Sequence, residues 1–466
     1  MIHHNQEVRE LLLHLMNATP SKREVQHFLK NFGTKPTVHN NISSLHSHTE
    51  SIPQRTFHQL ALIKVEGAFD HANWTSIGKT IYNLQKLGLA SIVVMDNKST
   101  TDVYPAHVIK SMMNEGTLLV DAIESAGGRA KLIYGGNALE QVSMTQPIHI
   151  NLDLIQSTLN HHQIPIIAPI SMDRGGVYHP IQANSTTLTV LKGLIKNPDL
   201  IPAKVIVINK EGGIPNHALP GSTHSLINLE EELNGIISNT VSQATTEDLD
   251  MIQKSLSLLP ITSSAVIVPA SSLPSTLITN LITDKPLYSS SLPVRDGSRV
   301  NQTRTTVLRR GTKLKDYHCL ADVDLNRLTE LLENSFQKRL DTRNYYKRLE
   351  ERMETIIIAG DYEGAVICTN EPAGFKDHVY LDKFAIAPKS QGIGLNDILW
   401  KRLCFHHPEF LWRSKKLNGV NKWYFERSDG YFRLKDTDWV VFWLGNKGSM
   451  HDYSAITKTI PASFFL

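Results

Sequence analysis

From Leu60 to Val268 short β-rich runs alternate with helical ones, and this rhythm constrains the fold more than any other feature of the chain. Leu60 to Val65 reads as a strand, Trp74 to Leu87 as a helix, Ser91 to Met95 as a strand, and Val120 to Ser125 as part of a helix. The rhythm continues through Ile164 to Ile170, Leu188 to Ile195, Val205 to Ile208 and Ala265 to Val268. Such βαβ alternation is expected of a parallel sheet covered by helices on both faces.

Around Ser289 to Ser298 the apolar pattern lapses into Ser, Pro, Arg, Asp and Gly, which suits a connection between domains and sets a boundary near residue 300. Beyond it, Thr305 to Arg309 reads as a strand, Leu325 to Phe336 and Tyr345 to Met353 as helices, and Thr355 to Ala359 with Gly364 to Thr369 as a hairpin. Before the first strand, Val8 to Met16 has a helical apolar pattern, and Ser21-Lys22-Arg23-Glu24 is a capping box that opens a second short helix. Residues 1–45 are therefore read as a helical segment, 46–300 as a first α/β domain and 301–466 as a second.

Composition excludes several classes. With 466 residues and 41% hydrophobic content the chain can bury two or three cores, and no apolar run approaches the roughly 20 residues of a membrane-spanning helix. A formal charge of +3, with Lys and Arg interspersed among acids, gives no dedicated nucleic-acid surface. Cys319, Cys368 and Cys404 are too few and too widely spaced for a disulfide framework or a zinc site. The histidine pairs His3-His4, His161-His162 and His406-His407 are adjacent, so they cannot share a helical face, and no metal site is expected. Glu7, Glu10 and Glu24 interrupt any Arg- and Ser-rich, acid-poor import pattern at the N-terminus.

Chemistry concentrates in two C-terminal stretches. Tyr380-Leu381-Asp382-Lys383-Phe384-Ala385-Ile386-Ala387-Pro388 reads as a strand, followed by Lys389-Ser390-Gln391-Gly392-Ile393-Gly394 as a turn into a helix. Gly392 and Gly394 leave successive backbone N–H groups open to an anion such as a pyrophosphate, which the dipole of the following helix also favours. The second stretch places Trp412-Arg413-Ser414 and Asn418 ahead of Asn421-Lys422-Trp423-Tyr424-Phe425, gathering cationic, amide and phenolic groups around aromatic rings.

The Q/R-x-x-G-x-G/A turn after a strand resembles the acetyl-CoA loop of GCN5-related N-acetyltransferases, with Lys389 at its first position. More narrowly, Tyr380 to Phe384 with Trp412-Arg413-Ser414 and Asn421 to Phe425 resembles the N-acetylglutamate synthases of fungal and animal type. Ala359 to Ala365, Trp439 to Trp443, Glu211-Gly212-Gly213-Ile214-Pro215 and Asn228 to Glu232 extend the resemblance over most of the chain. It implies transfer of acetyl from acetyl-CoA, a co-substrate rather than a permanently bound cofactor, to the α-amine of L-glutamate, the first step of arginine biosynthesis.

The residues make chemical sense of that reaction. Two carboxylates require cationic and amide donors, which Lys383, Arg413 and Asn418 supply. Tyr424 is the candidate acid for the departing thiolate. Phe384 and Ala385 are expected to hold the thioester and pantetheine, and Gln391, Gly392, Ile393, Gly394 and Leu395 the pyrophosphate; Leu395 stands where related sequences have a small residue. Packing is the competing role for Tyr424, and an ion pair for Arg413. The base that deprotonates the glutamate ammonium is unassigned.

The N-terminal domain resembles the amino acid kinase fold, whose active members open with Lys-x-Gly-Gly and cradle ATP with a second glycine-rich loop. Here the first reads Lys64-Val65-Glu66-Gly67 and the second Val93-Val94-Met95-Asp96-Asn97-Lys98, with side chains and acids where phosphate needs open backbone donors. Kinase activity is not expected. By resemblance this domain binds L-arginine as a feedback inhibitor, with Glu230, Glu231 and Glu232 near the guanidinium, although an acidic helix start explains them equally. The fold class is thus α/β, an amino acid kinase-like parallel-sheet sandwich followed by a GCN5-related N-acetyltransferase domain. The resemblance further implies a homo-oligomer in the mitochondrial matrix, able to form a complex with N-acetylglutamate kinase. The alternative is an arginine-sensing partner of that kinase without turnover.

Overall fold

The computed structural model describes residues 59–96, 104–140, 148–217, 221–239, 242–271, 304–374, 376–391, 394–445 and 448–465. The two helices read near the N-terminus, the connection at Ser289 to Ser298, and Asn97, Lys98, Gly392 and Ile393 lie outside the described residues. Contacts divide the chain into two units, the first ending at Arg310 and the second beginning at Gly311; the second also includes Glu230–Glu232.

The strands among the described residues of the first unit are β1 (Gln59–Glu66), β2 (Leu89–Asp96), β3 (Ala130–Ile133), β4 (Leu139–Glu140), β5 (His149–Ile150), β6 (Ile164–Ile167), β7 (Ile170–Met172), β8 (Tyr178–Pro180), β9 (Lys204–Asn209), β10 (Leu226–Asn228), β11 (Ser264–Pro269) and β12 (Thr306–Arg309). The helices among them are α1 (His71–Lys86), α2 (Pro105–Ser125), α3 (Leu152–Asn160), α4 (Ala183–Leu194), α5 (Leu229–Asn239) and α6 (Gln243–Leu258). The main sheet runs β10-β12-β11-β9-β1-β2-β6-β3, parallel except where β12 meets β11.

Every residue of β2 is buried, as a central strand covered on both faces must be. Leu60 and Leu62 of β1 with Ala90, Ile92 and Val94 of β2 join one core with Leu159, Leu191, Leu194 and Ile252 of α3, α4 and α6. Successive side chains point to opposite faces, so Ala61, Ile63 and Val65, also buried, face the other way. One expectation is corrected: Thr306–Arg309 does not open the second domain but lies between β10 and β11. Its ladder bonds to both strands hold it there, and Thr306, Val307 and Leu308 are fully buried.

The second unit carries β13 (Leu314–Tyr317), β14 (Met353–Ala359), β15 (Gly364–Ala373), β16 (Lys376–Ile386), β17 (Phe410–Lys415), β18 (Gly430–Arg433) and β19 (Trp439–Leu444). Its helices are α7 (Leu325–Phe336), α8 (Thr342–Arg352), α9 (Leu395–His406), α10 (Asn421–Arg427) and α11 (Met450–Thr459). The sheet order is β13-β14-β15-β16-β17-β19-β18, antiparallel except for β16 and β17.

Helix α7 has a strong apolar stripe and an Asp324 cap whose carboxylate accepts from the N–H groups of Asn326 and Arg327. With α8 it covers Ile356, Ile358, Ile367 and Ala385 on one sheet face. Helix α9 covers Ile357, Val366, Leu381 and Trp412 on the other. Tyr380, Leu411 and Val441 form a third core with Tyr453 and Ile456 of α11, which a Ser449–Asp452 capping box starts.

Candidate active site

Strands β16 and β17 pair at one register position only, Tyr380 opposite Leu411. Past that point β16 runs on to Ile386 and β17 to Lys415, so the amides of β16 that point away from β15 have no ladder partner on β17. The parting of two strands inside a sheet leaves a cleft with backbone donors along one wall. Asp382 sits at a bulge, for Lys383 pairs with Ile367 and Leu381 with Cys368, which leaves it as the extra residue. A bulge re-aims the side chains around it, and here Asp382 and Lys383 both come to the face covered by α8.

On that face Lys383 is 8% exposed. Its ammonium donates to the Asp382 carboxylate at 2.8 Å, the Asp382 carbonyl at 3.3 Å and the Ser463 hydroxyl at 3.0 Å, beside the Tyr345 ring. Asp382 also accepts from the Tyr345 hydroxyl at 2.9 Å and from Arg348 at 3.4 Å, and Arg348 reaches Glu371 as well. Burial alone would raise the Asp382 carboxyl, but Lys383 and Arg348 hold it below its ordinary value. Burial lowers the Lys383 ammonium, with Asp382 opposing and the charges of Arg348 and Arg413 adding to the fall.

Arg413, two residues past Leu411, is on the same face. It donates to the carbonyls of Thr457, Ile460 and Pro461 at the end of α11 and stacks over Trp439 with its guanidinium carbon 4.4 Å from the ring centre. Among the described residues no carboxylate lies within ion-pair distance of it. Among those same residues Lys383, Arg348 and Arg413 face only Asp382 and Glu371, so the group keeps one positive charge in excess.

The opposite face is aromatic. Trp400 of α9, Trp412 of β17 and Trp423 of α10 meet edge-on, with centres 5.4 and 4.8 Å from Trp400, and Phe384 lies 5.8 Å from Trp423. Tyr424 packs among Trp412, Trp423 and Phe442. Burial pushes its phenol up to about 12, and Cys404 at the edge of the same core rises to about 12 for the same reason. Asn418 shapes the loop into α10: its amide nitrogen donates to the Ser414 hydroxyl at 2.9 Å and its oxygen accepts the Val420 N–H at 3.1 Å. Thus Lys383 and Arg413 share one face of the cleft, Phe384 and Tyr424 share the other, Ala385 is buried under α7, and Asn418 stands at the end of β17.

Between β16 and α9 the chain makes a 3₁₀ turn at Pro388–Ser390, exposes Gln391, and enters the helix through Gly394 at φ +83°, a left-handed conformation that suits glycine. Among the described residues no side chain caps α9, and the Asp397 N–H donates to the Gly394 carbonyl at 3.1 Å. Leu395 is buried in the aromatic core and turns its side chain away from that end. Asp397 in the first turn pairs at 3.3 Å with Arg427 of α10, itself 1% exposed and stacked 4.0 Å over Trp423.

In the first unit, Lys64 is 1% exposed and contacts Asp96 at 2.9 Å, Asp248 at 2.5 Å and the Asn184 amide oxygen at 2.6 Å. Glu66 accepts the Lys210 N–H, and Glu115 accepts the Ala68 N–H. A Cβ on Gly67 would fall 1.7 Å from the Glu115 carboxylate, which burial raises above its ordinary value. Acids thus gather around Lys64 and Gly67. Within the second unit, which includes these three acids, Glu230 pairs with Lys313 at 3.3 Å, Glu231 accepts the Leu314 N–H at 2.9 Å, and Glu232 pairs with Lys401 at 3.1 Å.

Sequence reasoning missed Tyr345, Arg348, Glu371, Asp397, Arg427 and Ser463. Tyr345 and Arg348 stand three apart on a helix, a spacing that puts them on one face, but nothing in the sequence names Asp382 as the group they meet.

Residues 310–463 match the family described as NAT, the N-acetyltransferase of N-acetylglutamate synthase. The mitochondrial amino-acid acetyltransferase of Laccaria bicolor is 32% identical, with 94% of this chain and 92% of that protein aligned. That of Schizosaccharomyces japonicus is 30% identical over 94% of each. The fold and cleft define a two-unit acetyltransferase. The chain belongs to the amino-acid acetyltransferase family. Its fold also resembles the solved N-acetylglutamate synthase of Neisseria gonorrhoeae, complexed with coenzyme A and N-acetyl-glutamate, at a TM-score of 0.51 and 11% identity, covering 83% of this chain and 95% of that one.

Proposed function

We propose that this chain transfers the acetyl group of acetyl-CoA to the α-amine of L-glutamate in the mitochondrial matrix, opening arginine biosynthesis under inhibition by L-arginine. The observation that carries the reading is the two-faced cleft between β16 and β17: an excess positive charge around Lys383 and Arg413 on one side, and a half-buried tyrosine at Tyr424 on the other. A dicarboxylic amine suits the first face. A thioester suits the second, with its pyrophosphate at the uncapped start of α9 and its pantetheine along the unpaired β16 amides.

The neutral amine attacks the thioester carbonyl and the tetrahedral oxyanion forms against the β16 amides; as it collapses the C–S bond breaks, Tyr424 protonates the sulfur, and the proton lost from the nitrogen passes to water, which returns one to the tyrosine. A phenol at about 12 is a weak acid for an ordinary thiolate near 8.5. The transfer therefore requires the thiolate to form against the apolar wall around Trp412 and Trp423, where burial raises the proton affinity of a thiolate.

The test is glutamate-dependent release of CoA thiol by the purified chain, with and without L-arginine. Turnover that requires glutamate, falls with arginine and is lost in Arg413→Ala is expected. A folded chain that binds acetyl-CoA yet releases no CoA with glutamate would overturn the reading.

A further inference from the structure

The segment after α11 crosses the cationic face of the cleft. Its carbonyls at Ile460 and Pro461 hold Arg413, and a little further along the Ser463 hydroxyl meets Lys383. The stretch is fixed at its far end too. The Ser463 carbonyl accepts the Asp341 N–H at 3.0 Å, the Phe465 N–H donates to the Arg339 carbonyl at 3.0 Å, Phe464 forms a β-bridge with Leu340, and its ring lies 5.1 Å from Phe336. Residues 460–463 therefore form a short, anchored wall with Arg413 at one end and Lys383 at the other.

An ammonium has three hydrogens, and all three on Lys383 are taken, two by Asp382 and one by Ser463. An incoming carboxylate must displace one of them. The Asp382 carbonyl belongs to the bulge, and its carboxylate is also held by Tyr345 and Arg348. The Ser463 hydroxyl is the weaker, uncharged partner. Its oxygen accepts from Lys383, so its own hydrogen is left to donate, and no acceptor among the described residues takes it.

We propose that Ser463 is an acceptor-binding residue: its hydroxyl holds the place of a substrate carboxylate at Lys383 and, when the acceptor enters, donates its hydrogen to that carboxylate. This rests on the proposed transfer to glutamate. The wall also fixes the Arg413 fork through Ile460 and Pro461, so that one segment presents both cations to one dicarboxylic ligand.

Steady-state kinetics of the full chain with Ser463→Ala and Ser463→Thr decide it. Loss of a hydrogen bond to a charged group predicts that Ser463→Ala raises the glutamate KM about tenfold, with kcat and the acetyl-CoA KM within about twofold of the unmodified chain. Ser463→Thr, which keeps the hydroxyl, restores the glutamate KM. An unchanged glutamate KM in Ser463→Ala overturns the inference while leaving the functional reading intact. So does a parallel fall in kcat, acetyl-CoA affinity and melting temperature, which marks a structural role. A chain with no glutamate-dependent turnover at all overturns the functional reading and this inference with it.

Discussion

Lys64 and Lys383 are both buried lysines on strands of an α/β sheet, each held by acids, yet their surroundings differ in one respect. Two acids hold Lys64: Asp96 and Asp248 are within ion-pair distance and the Asn184 amide takes a further hydrogen. Around Lys383 the cations outnumber the acids, because Arg348 shares Asp382 and Arg413 has only carbonyls and a ring among the described residues. A buried lysine is thus no sign of a site by itself. An anion enters where cationic charge is left over and is refused where two acids already hold the one lysine. The same chain contains one closed lysine and one open group.

The comparison breaks most readily at Lys64. Replacing it with Met removes the ammonium that both Asp96 and Asp248 contact, and removal of one partner from a buried pair costs about 3–5 kcal/mol. Lys383→Met is expected to cost the fold less, since Tyr345 and Arg348 still reach Asp382. Denaturant unfolding of the full chain checks both. ATP is expected to add nothing to the melting temperature of the unmodified chain. A Lys64→Met chain as stable as the parent, or clear stabilisation by ATP, would show that Lys64 is not closed.

How much of this is legible in the sequence depends on how local each feature is. The strand, turn and helix of 380–406 and the aromatic helix of 421–427 lie in continuous stretches whose periodicity and glycines mark them. Lys383 and Tyr424 lie in these stretches and Arg413 in the strand between them, and the family resemblance is what singles all three out. The bulge at Asp382 is invisible, since only the pairing with β15 makes it one. Arg348, Glu371 and Ser463 come from three other elements, and nothing near them in sequence points to the cleft. The sequence pattern puts β12 on the wrong side of the boundary because a short apolar run does not say which sheet will take it.

The second prediction tests the aromatic face. Tyr424→Phe keeps the ring and removes the proton, so kcat is expected to fall about 10²- to 10³-fold, within the usual range for a general acid, with the glutamate KM little changed. The phenol rises from its ordinary 10.0 to about 12, so the folded chain keeps this proton where the unfolded one loses it. Between those two values stability falls as pH rises, and below about pH 10 ionisation of Tyr424 costs the unmodified chain no activity. A Tyr424→Phe chain of unaltered kcat would reduce this tyrosine to packing.

The smallest expected effect sharpens the rule of leftover charge at the other end of the cleft. Asp397 lies in the first turn of α9, the end proposed to receive pyrophosphate, where its negative charge opposes an anionic ligand. Arg427 neutralises it from α10. Arg427→Gln should remove the Arg427 charge from beside Asp397 and raise the acetyl-CoA KM about three- to tenfold, as a charge acting on a helix terminus would. Asp397→Asn in the same chain removes the repulsion, so the double variant should recover most of the acetyl-CoA KM while remaining less stable than the parent, because the buried pair between the two helices is gone. Recovery of KM without recovery of stability separates electrostatic clearing of the α9 terminus from simple loosening of α10. If the double variant binds acetyl-CoA no better than Arg427→Gln alone, the pair acts by holding Trp423 and Tyr424 in place.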